Sequence, residues 1–155
     1  MRGSPVIDHM GIAVSDLAAS RAFYERALAP LGLRVLYGDD RSLAMGTDGA
    51  DDFGLHAGGT PMTGLHVAFV ASSTEAVDAF HAAALAAGGI DNGAPGYRPQ
   101  YHRGYYGAFV IDPDGNNVEA VFHDWKAASR DATSGGARGD GDGRGGGGPT
   151  ARPPR

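Results

Sequence analysis

Three residues of the chain have the types and the placement that a metal site with open coordination positions requires. His9 and His66 occupy matching places in two similar segments, and Glu119 lies in the late apolar run 117–122. A charged carboxylate in such a run is costly to bury unless it is paired or bound to a metal. Two imidazoles and one carboxylate form a facial set that leaves positions free for substrate or water. The residues therefore predict a divalent-metal centre, against the alternative of a core histidine pair and an edge-strand glutamate.

A duplication places the two histidines at equivalent positions. Shifting the sequence by 57 residues aligns residues 9–32 with 66–89, and nine of the 24 aligned positions are identical. The identities include a His, a Phe, a Leu and a Gly pair, which a high alanine content alone does not produce. Each copy predicts an apolar strand followed by a helix with Ala and Phe on one face. The helix of the second copy opens on Ser72 and Glu75, a capping-box pattern, and Gly32 and Gly89 fit helix C-termini.

Shorter extended segments follow each predicted helix. In the first copy they cover 34–37, 42–45 and 53–57, and in the second they cover about 101–111 and 117–123. The Asp-Pro-Asp-Gly sequence at 112–115 joins the last two, because Pro presets φ and Gly tolerates the left-handed region. The predicted fold class is α+β, with two tandem βαβββ modules. Neither module is large enough to be stable alone, so the two are expected to pack as a pair.

Three features carry a resemblance to a known family: the duplicated module, the two strand histidines, and the sequence Asp-Pro-Asp-Gly-Asn-Asn-Val-Glu at 112–119. Over residues 5–125 the chain resembles the vicinal oxygen chelate superfamily, which includes glyoxalase I, extradiol dioxygenases, and fosfomycin- and bleomycin-resistance proteins. The resemblance implies a cup-shaped half-barrel of mixed sheet. It also implies a divalent metal ion (Fe, Mn, Ni or Zn) held by His9, His66 and Glu119. The ligands would converge within one chain or across the interface of a homodimer, since both arrangements satisfy the duplication.

One position departs from the glyoxalase I pattern. Members of that group supply a further carboxylate from the last strand of the first module, and Gly54 stands at this place. The missing ligand favours a three-ligand site of the dioxygenase kind over a glyoxalase-like lyase site. His56 lies two residues further on the same strand face. We expect it to line the substrate pocket, with ligation of the metal as the alternative.

A tyrosine-rich segment at 97–106 is predicted to bind the substrate. Amphipathic rings and guanidinium groups can stack on a ligand and donate hydrogen bonds to it. His102 is a candidate general acid or base because the ordinary pKa of histidine lies near neutrality, and Glu119 is the other candidate catalytic group. The predicted substrate contacts in this segment are Tyr101, Arg103, Tyr105 and Tyr106.

Composition limits the class of protein. The absence of cysteine excludes disulfides and thiolate sites, and no apolar run is long enough for a membrane span, which indicates a cytoplasmic protein. Residues 1–126 carry 8 basic and 15 acidic side chains, and this net charge of −7 disfavours nucleic acid as a partner. They are predicted to form one domain, with module one at about 5–59 and module two at about 63–125. Residues 127–155 have no large apolar side chain and are predicted to be a disordered Gly/Arg/Pro-rich tail.

Two functions from different classes remain open. The first is a divalent-metal-dependent enzyme that binds a small substrate through two of its oxygens and performs dioxygenase-like or lyase-like chemistry. The alternative is a non-catalytic protein that sequesters a small molecule, as bleomycin-resistance proteins do. Those members of the superfamily generally lack the metal triad, so the presence of His9, His66 and Glu119 favours the enzyme.

Overall fold

The computed structural model describes residues 6–134, with side chains through residue 130, and it consists of two strand–helix–strand–strand–strand modules in tandem. The predicted α+β class and βαβββ duplication are confirmed. In chain order the elements are β1 (Met10–Val14), α1 (Leu17–Leu28), a 3-10 turn (Ala29–Leu31), β2 (Arg34–Gly38), β3 (Ser42–Thr47), β4 (Ala50–Ala57), β5 (His66–Val70), α2 (Thr74–Ala86), β6 (Ile90–Tyr97), β7 (Tyr105–Ile111), β8 (Asn117–His123) and α3 (Trp125–Ser134).

Each module builds its own four-stranded mixed sheet. The strand order is β1-β4-β3-β2 in the first sheet and β5-β8-β7-β6 in the second. The pairs β1–β4 and β5–β8 are parallel, and the remaining neighbours are antiparallel. Over the described part of the chain the sheets stay open and form no closed barrel. The strand that opens each module is consequently an edge strand of its sheet.

Each helix begins at a residue whose side chain caps its first turn. Asp16 caps α1 by accepting a hydrogen bond from the amide of Ala19 at 3.0 Å. Ser73, not Ser72, caps α2 through the amide of Ala76 at 3.1 Å. After α2 the left-handed residue is Gly88, with φ 94°, whereas a Cβ on Gly89 would lie 2.4 Å from Val110 Cγ1. Gly89 is therefore required for close helix–sheet packing and not for a turn.

Strand β6 is an element that the sequence pattern did not predict. Gly93, Pro95 and Gly96 interrupt it, and its pairing with β7 shifts register around both glycines. Proline and glycine are tolerated in such a position because β6 is an edge strand, where an amide need not pair. This strand completes the second sheet and carries the chain to Arg98.

The core joins the two modules through a row of aromatic rings. Phe23 contacts Tyr24 at a centroid distance of 5.0 Å, and Tyr24 contacts Phe53 at 5.1 Å. Phe53 in turn meets Phe69 of the second sheet at 5.2 Å. Because each ring is shared by neighbouring elements, the two modules are packed as one body, as their small size requires.

Helix α3 extends beyond the predicted domain boundary at residue 126. Asp124 accepts hydrogen bonds from the amides of Ala127 and, through its backbone carbonyl, Ala128, at 2.9 and 3.1 Å. Alanine has the highest helix propensity, so residues 127–134, predicted as tail, continue the helix. The rest of that predicted tail, 135–155, lies outside the described residues. Within the described chain, no helix has the length and apolar character to span a membrane.

Candidate functional site

The second sheet carries a buried carboxylate on its open face. Glu119 of β8 is 1% exposed, and its Oε2 lies 2.8 Å from Nε2 of His66 on the neighbouring strand. Its other oxygen, Oε1, accepts a hydrogen bond from the hydroxyl of Tyr105 on β7. The predicted convergence of a strand histidine with Glu119 is thus present, with Tyr105 as a third member of the cluster.

The environment of Tyr105 keeps its proton in place. Burial, followed by the hydrogen bond to Glu119, raises the pKa of Tyr105, and the charge of Arg98 lowers it. The hydroxyl is therefore a hydrogen-bond donor at neutral pH. Gly107 leaves the space that the cluster occupies, since a Cβ there would lie 3.2 Å from Glu119 Oε1.

Two adjoining cavities open on this face of the second sheet. The first, of about 260 Å³, is lined by His66, Tyr101, Phe109 and Asn117 among others. The second, of about 270 Å³, shares the last three of these residues and extends to Arg98. Together they offer a small-molecule site of the usual size, lined by a few polar groups around aromatic rings.

His9 is not brought to this cluster. It precedes β1 of the first sheet, and its Nδ1 lies 2.9 Å from Asp8 Oδ1, with the side chain 69% exposed. The hydrogen bond to Asp8 raises the pKa of His9, and the charge of Asp51 acts in the same direction. Over the described residues, no three His, Asp or Glu side chains are close enough to one another to hold a metal ion.

The strand pairing identifies which residues of the first sheet are equivalent to residues of the second. Gly11 pairs with Gly54 in the first sheet, and Ala68 pairs with Glu119 in the second. Since Ala68 is the duplicate of Gly11, Gly54 stands where the second module has its glutamate. His56 pairs with Ala13 on β1 and is exposed, so it lies on the first sheet, apart from the cavities described above.

His102 contacts the ring of Tyr105, which in turn is hydrogen-bonded to Glu119. It meets the ring of Tyr105 edge-to-face at 5.3 Å. Its Nε2 lies 2.9 Å from Nδ1 of His123, and its Nδ1 lies 2.6 Å from the carbonyl oxygen of Arg103. Trp125 stacks on His102 at 4.9 Å. Both ring nitrogens are therefore engaged, and His102 reaches the carboxylate only through Tyr105.

The structure separates the other predicted substrate contacts into two groups. Tyr101 lines both cavities and meets Tyr105 edge-to-face at 5.0 Å. Tyr106 points to the opposite face of the sheet, where its hydroxyl donates to Asp78 of α2 at 2.7 Å. Arg103 is exposed and lines a separate cavity beside α3. Tyr106 and Arg103 are thus placed away from the Glu119 cluster.

Sequence reasoning missed Phe109, which completes the cavities, and it did not single out Arg98 within the predicted substrate-binding segment 97–106. Phe109 pairs with Glu119 across β7 and β8, and its ring lies 6.2 Å from that of His66. The alternation Tyr105, Gly107, Phe109 along one strand gives this placement, because residues two apart share a face. Arg98 belongs to the predicted substrate-binding segment, but its position beside Phe109 depends on strand β6, which the sequence pattern did not predict.

Known proteins resemble the chain in sequence and in fold. The family model described as Glyoxalase/Bleomycin resistance protein/Dioxygenase superfamily matches residues 6–120. The crystal structure of a glyoxalase/bleomycin resistance protein from Albidiferax ferrireducens T118 is 32% identical, with a TM-score of 0.65, and the match covers 76% of this chain and 98% of that one. A glyoxalase/bleomycin resistance protein/dioxygenase family enzyme from Burkholderia phytofirmans PsJN is 24% identical, with a TM-score of 0.60 and the same coverages.

A further structure shows the breadth of this fold. Lactoylglutathione lyase from Agrobacterium tumefaciens is 20% identical, with a TM-score of 0.57, and the match covers 79% of this chain and 96% of that one. No curated protein matches the chain significantly. The family match and the 32% identity agree with the duplicated βαβββ fold. The chain belongs to the glyoxalase/bleomycin resistance protein/dioxygenase superfamily, the vicinal oxygen chelate superfamily.

Proposed function

We propose that the chain is a divalent-metal-dependent enzyme that binds a small substrate through two oxygens on the open face of the second sheet. The observation that carries the proposal is the burial of Glu119 against His66 at 2.8 Å. A carboxylate in such a place is costly unless a cation or hydrogen-bond donors compensate it. Here His66 and Tyr105 compensate the carboxylate by hydrogen bonds, and an imidazole beside a buried carboxylate is also the arrangement of two ligands of one cation.

The donor set fits a divalent cation. An imidazole nitrogen and a carboxylate oxygen are common ligands of Fe, Mn, Ni and Zn, and His66 and Glu119 would supply them from one chain. His9 would supply the third from the first sheet of a second copy, in a homodimer that shares the site. The exposure of His9 and the edge positions of β1 and β5 favour this arrangement. The bound ion would act as a Lewis acid toward the oxygens of the substrate.

The surrounding side chains hold and orient the reactants. Tyr105 keeps its proton on Oη and donates this single hydrogen to Glu119, which holds the carboxylate in its orientation beside His66. Tyr101 and Phe109 line the cavity walls and exclude water from the reacting end. His102 supports the ring of Tyr105, so its proposed part in catalysis is exerted through Tyr105.

Metal analysis tests this function. The protein is purified without chelators or nickel resin, and its metal content is measured by inductively coupled plasma mass spectrometry. Glu119→Gln and His66→Ala should lose the metal, whereas His81→Ala should keep it, because His81 pairs with Asp91 away from the site. Circular dichroism melts verify that each variant is folded. Metal retention in folded Glu119→Gln would contradict the proposal.

Complementation tests the shared site. His9→Ala and Glu119→Ala should each lose metal alone. After the two variants are unfolded together and refolded, each mixed dimer should regain one intact site and its metal. If His9→Ala alone keeps its metal, His9 is not a ligand. If both variants lose metal and the mixture stays empty, the site is not shared between two copies.

A second function is favoured by one observation. In the described residues of a single chain, no three His, Asp or Glu side chains are near enough to hold a metal ion. A monomer in solution without bound metal would therefore support a protein that binds a small molecule without transforming it. Size-exclusion chromatography with light scattering, run beside the metal analysis, distinguishes the two.

A further inference from the structure

Arg98 is a cation placed beside the proposed site. It follows β6 and is half-buried, and its guanidinium carbon lies 5.8 Å from the centre of the Phe109 ring. Its Nη2 donates to the carbonyl oxygen of Ala94 at 2.6 Å, and Nη1 donates to that of Tyr97 at 3.5 Å. The contacts with backbone and ring hold the guanidinium in one place, as a recognition group requires.

No anionic partner compensates this charge within the described chain. None of the ion pairs of the described residues includes Arg98. Its two hydrogen bonds use two of the five N–H donors of a guanidinium. The amides nearby are neutral: Asn92 and Asn117 line the same cavity and are hydrogen-bonded to each other at 3.1 Å. In a protein with a net charge of −5, such an arginine is available to an anion from solution.

The cavities connect this cation with the reactive cluster. Phe109 lines both cavities, and its ring lies 6.2 Å from the His66 ring and 5.8 Å from the Arg98 guanidinium carbon. Tyr101 provides a second aromatic surface common to both cavities. A ligand that spans them meets a positive group at one end and His66, the partner of Glu119, at the other.

We propose that Arg98 is the anion-binding residue of this site, and that the substrates are small, flat carboxylates. The carboxylate of the substrate lies on the guanidinium, and its planar body lies against Tyr101 and Phe109. This orientation presents the far end to His66 and Glu119. The geometry of arginine matches a carboxylate in two parallel hydrogen bonds. The inference rests on the proposed function only for what happens at that far end.

Benzoate and benzamide are the probes for this subsite. They have nearly the same size and ring, and only benzoate is charged. Titration of the ¹⁵N-labelled protein, followed by amide chemical shifts, gives a Kd for each probe. We expect benzoate to bind at least about tenfold more tightly than benzamide, with the largest shifts at residues 96–98, 101 and 109, since charge-assisted hydrogen bonds are stronger than neutral ones.

The variants then assign the charge to one arginine. Arg98→Gln should remove the preference for benzoate by weakening benzoate binding much more than benzamide binding, and Arg98→Lys should retain only part of the preference. Arg34→Gln, an exposed arginine of the first sheet, is the matched control and should behave as wild type. The ¹⁵N spectrum of each variant verifies the fold.

Three outcomes overturn the proposal: equal affinity for the two probes, an unchanged preference in Arg98→Gln, or loss of the preference in Arg103→Gln instead. Metal content separates this inference from the proposed function. Preference for benzoate in a protein that binds no metal supports the subsite and contradicts the metal-dependent enzyme. A metal-loaded protein without the preference contradicts the subsite and supports the metal-dependent enzyme.

Discussion

Tyr24 of α1 donates its hydroxyl hydrogen to Asp112 Oδ2 over 2.6 Å, across 88 positions of sequence. Both side chains are buried, at 0% and 4% exposure. Asp112 also accepts hydrogen bonds from the backbone and side-chain amides of Asn116. The side-chain amide of Asn116 donates in addition to the carbonyl oxygen of Met62, ahead of β5. The Asp-Pro-Asp-Gly-Asn turn is therefore the joint that links the two modules and positions β8, the strand of Glu119.

The first prediction concerns this joint. Tyr24→Phe keeps the ring in the core and removes one hydrogen bond to a buried carboxylate, so the free energy of unfolding should fall by about 1.5–3 kcal/mol. Urea denaturation measures the change. Tyr37→Phe is the control, because Tyr37 is exposed and its hydrogen bond to Asp51 is at the surface. Equal losses in the two variants would show that burial of the Tyr24–Asp112 pair adds nothing to the free energy of unfolding.

The second prediction is a loss of stability in alkali. Burial, and then the charge of Asp112 and the hydrogen bond to it, raise the pKa of Tyr24. Below about pH 10 tyrosine is protonated in both states, so its contribution to stability is complete. Above that pH the unfolded chain releases the proton and the folded chain keeps it, so stability falls as pH rises. Melting temperatures between pH 8 and 11.5 should decline more steeply for wild type than for Tyr24→Phe; parallel curves would contradict the assignment.

The duplication could be predicted from the sequence because it depends on local patterns. Alternating apolar residues, a serine before α2 and repeated alanines and phenylalanines define the strand–helix units without knowledge of tertiary contacts. The placement of Glu119 followed from the apolar run of β8. These features do not depend on how the two sheets meet.

The position of His9 could not be predicted in the same way. The duplication makes His9 equivalent to His66, but only the relation between the two sheets decides whether they approach each other, and each sheet is separate in this fold. Arg98 lay in the predicted substrate-binding segment 97–106 but was not singled out, for a different reason. The glycines and proline of β6 are typical of a loop sequence. Pairing with β7 in the tertiary structure overrides that local preference.

The third prediction concerns the C-terminal segment. Truncation after Ser134 should leave the melting temperature unchanged within about 2 °C, since residues 135–155 contain no large apolar side chain. Truncation after Lys126 removes most of α3, and with it Ala127 and Ala128, which line a cavity with Tyr97 and Pro99. That variant should melt lower, by about 2–4 °C for each kcal/mol lost. Differential scanning calorimetry compares the two; an equal drop in both would contradict this boundary.

The last prediction tests the ligand count of the proposed metal site. Gly54 occupies the place of Glu119 in the first sheet, and a Cβ on it would come no closer than 3.5 Å to another atom, the carbonyl oxygen of Leu43. Gly54→Glu should therefore fold, and in the shared site it should add a fourth ligand. We expect the Kd for Zn²⁺, measured by competition with a fluorescent chelator, to fall by at least about tenfold, or 1.4 kcal/mol. The added carboxylate should also obstruct a bulky substrate.

His56→Ala is the companion variant, since His56 lies on the same face as Gly54. It should retain its metal, whereas Glu119→Ala should lose it because the carboxylate neutralises much of the cation's charge. If His56→Ala loses metal as completely as Glu119→Ala, the site has four protein ligands, three of them histidines. The preference for dioxygenase-like chemistry, which depends on a three-ligand site with open positions, would then lose its main support.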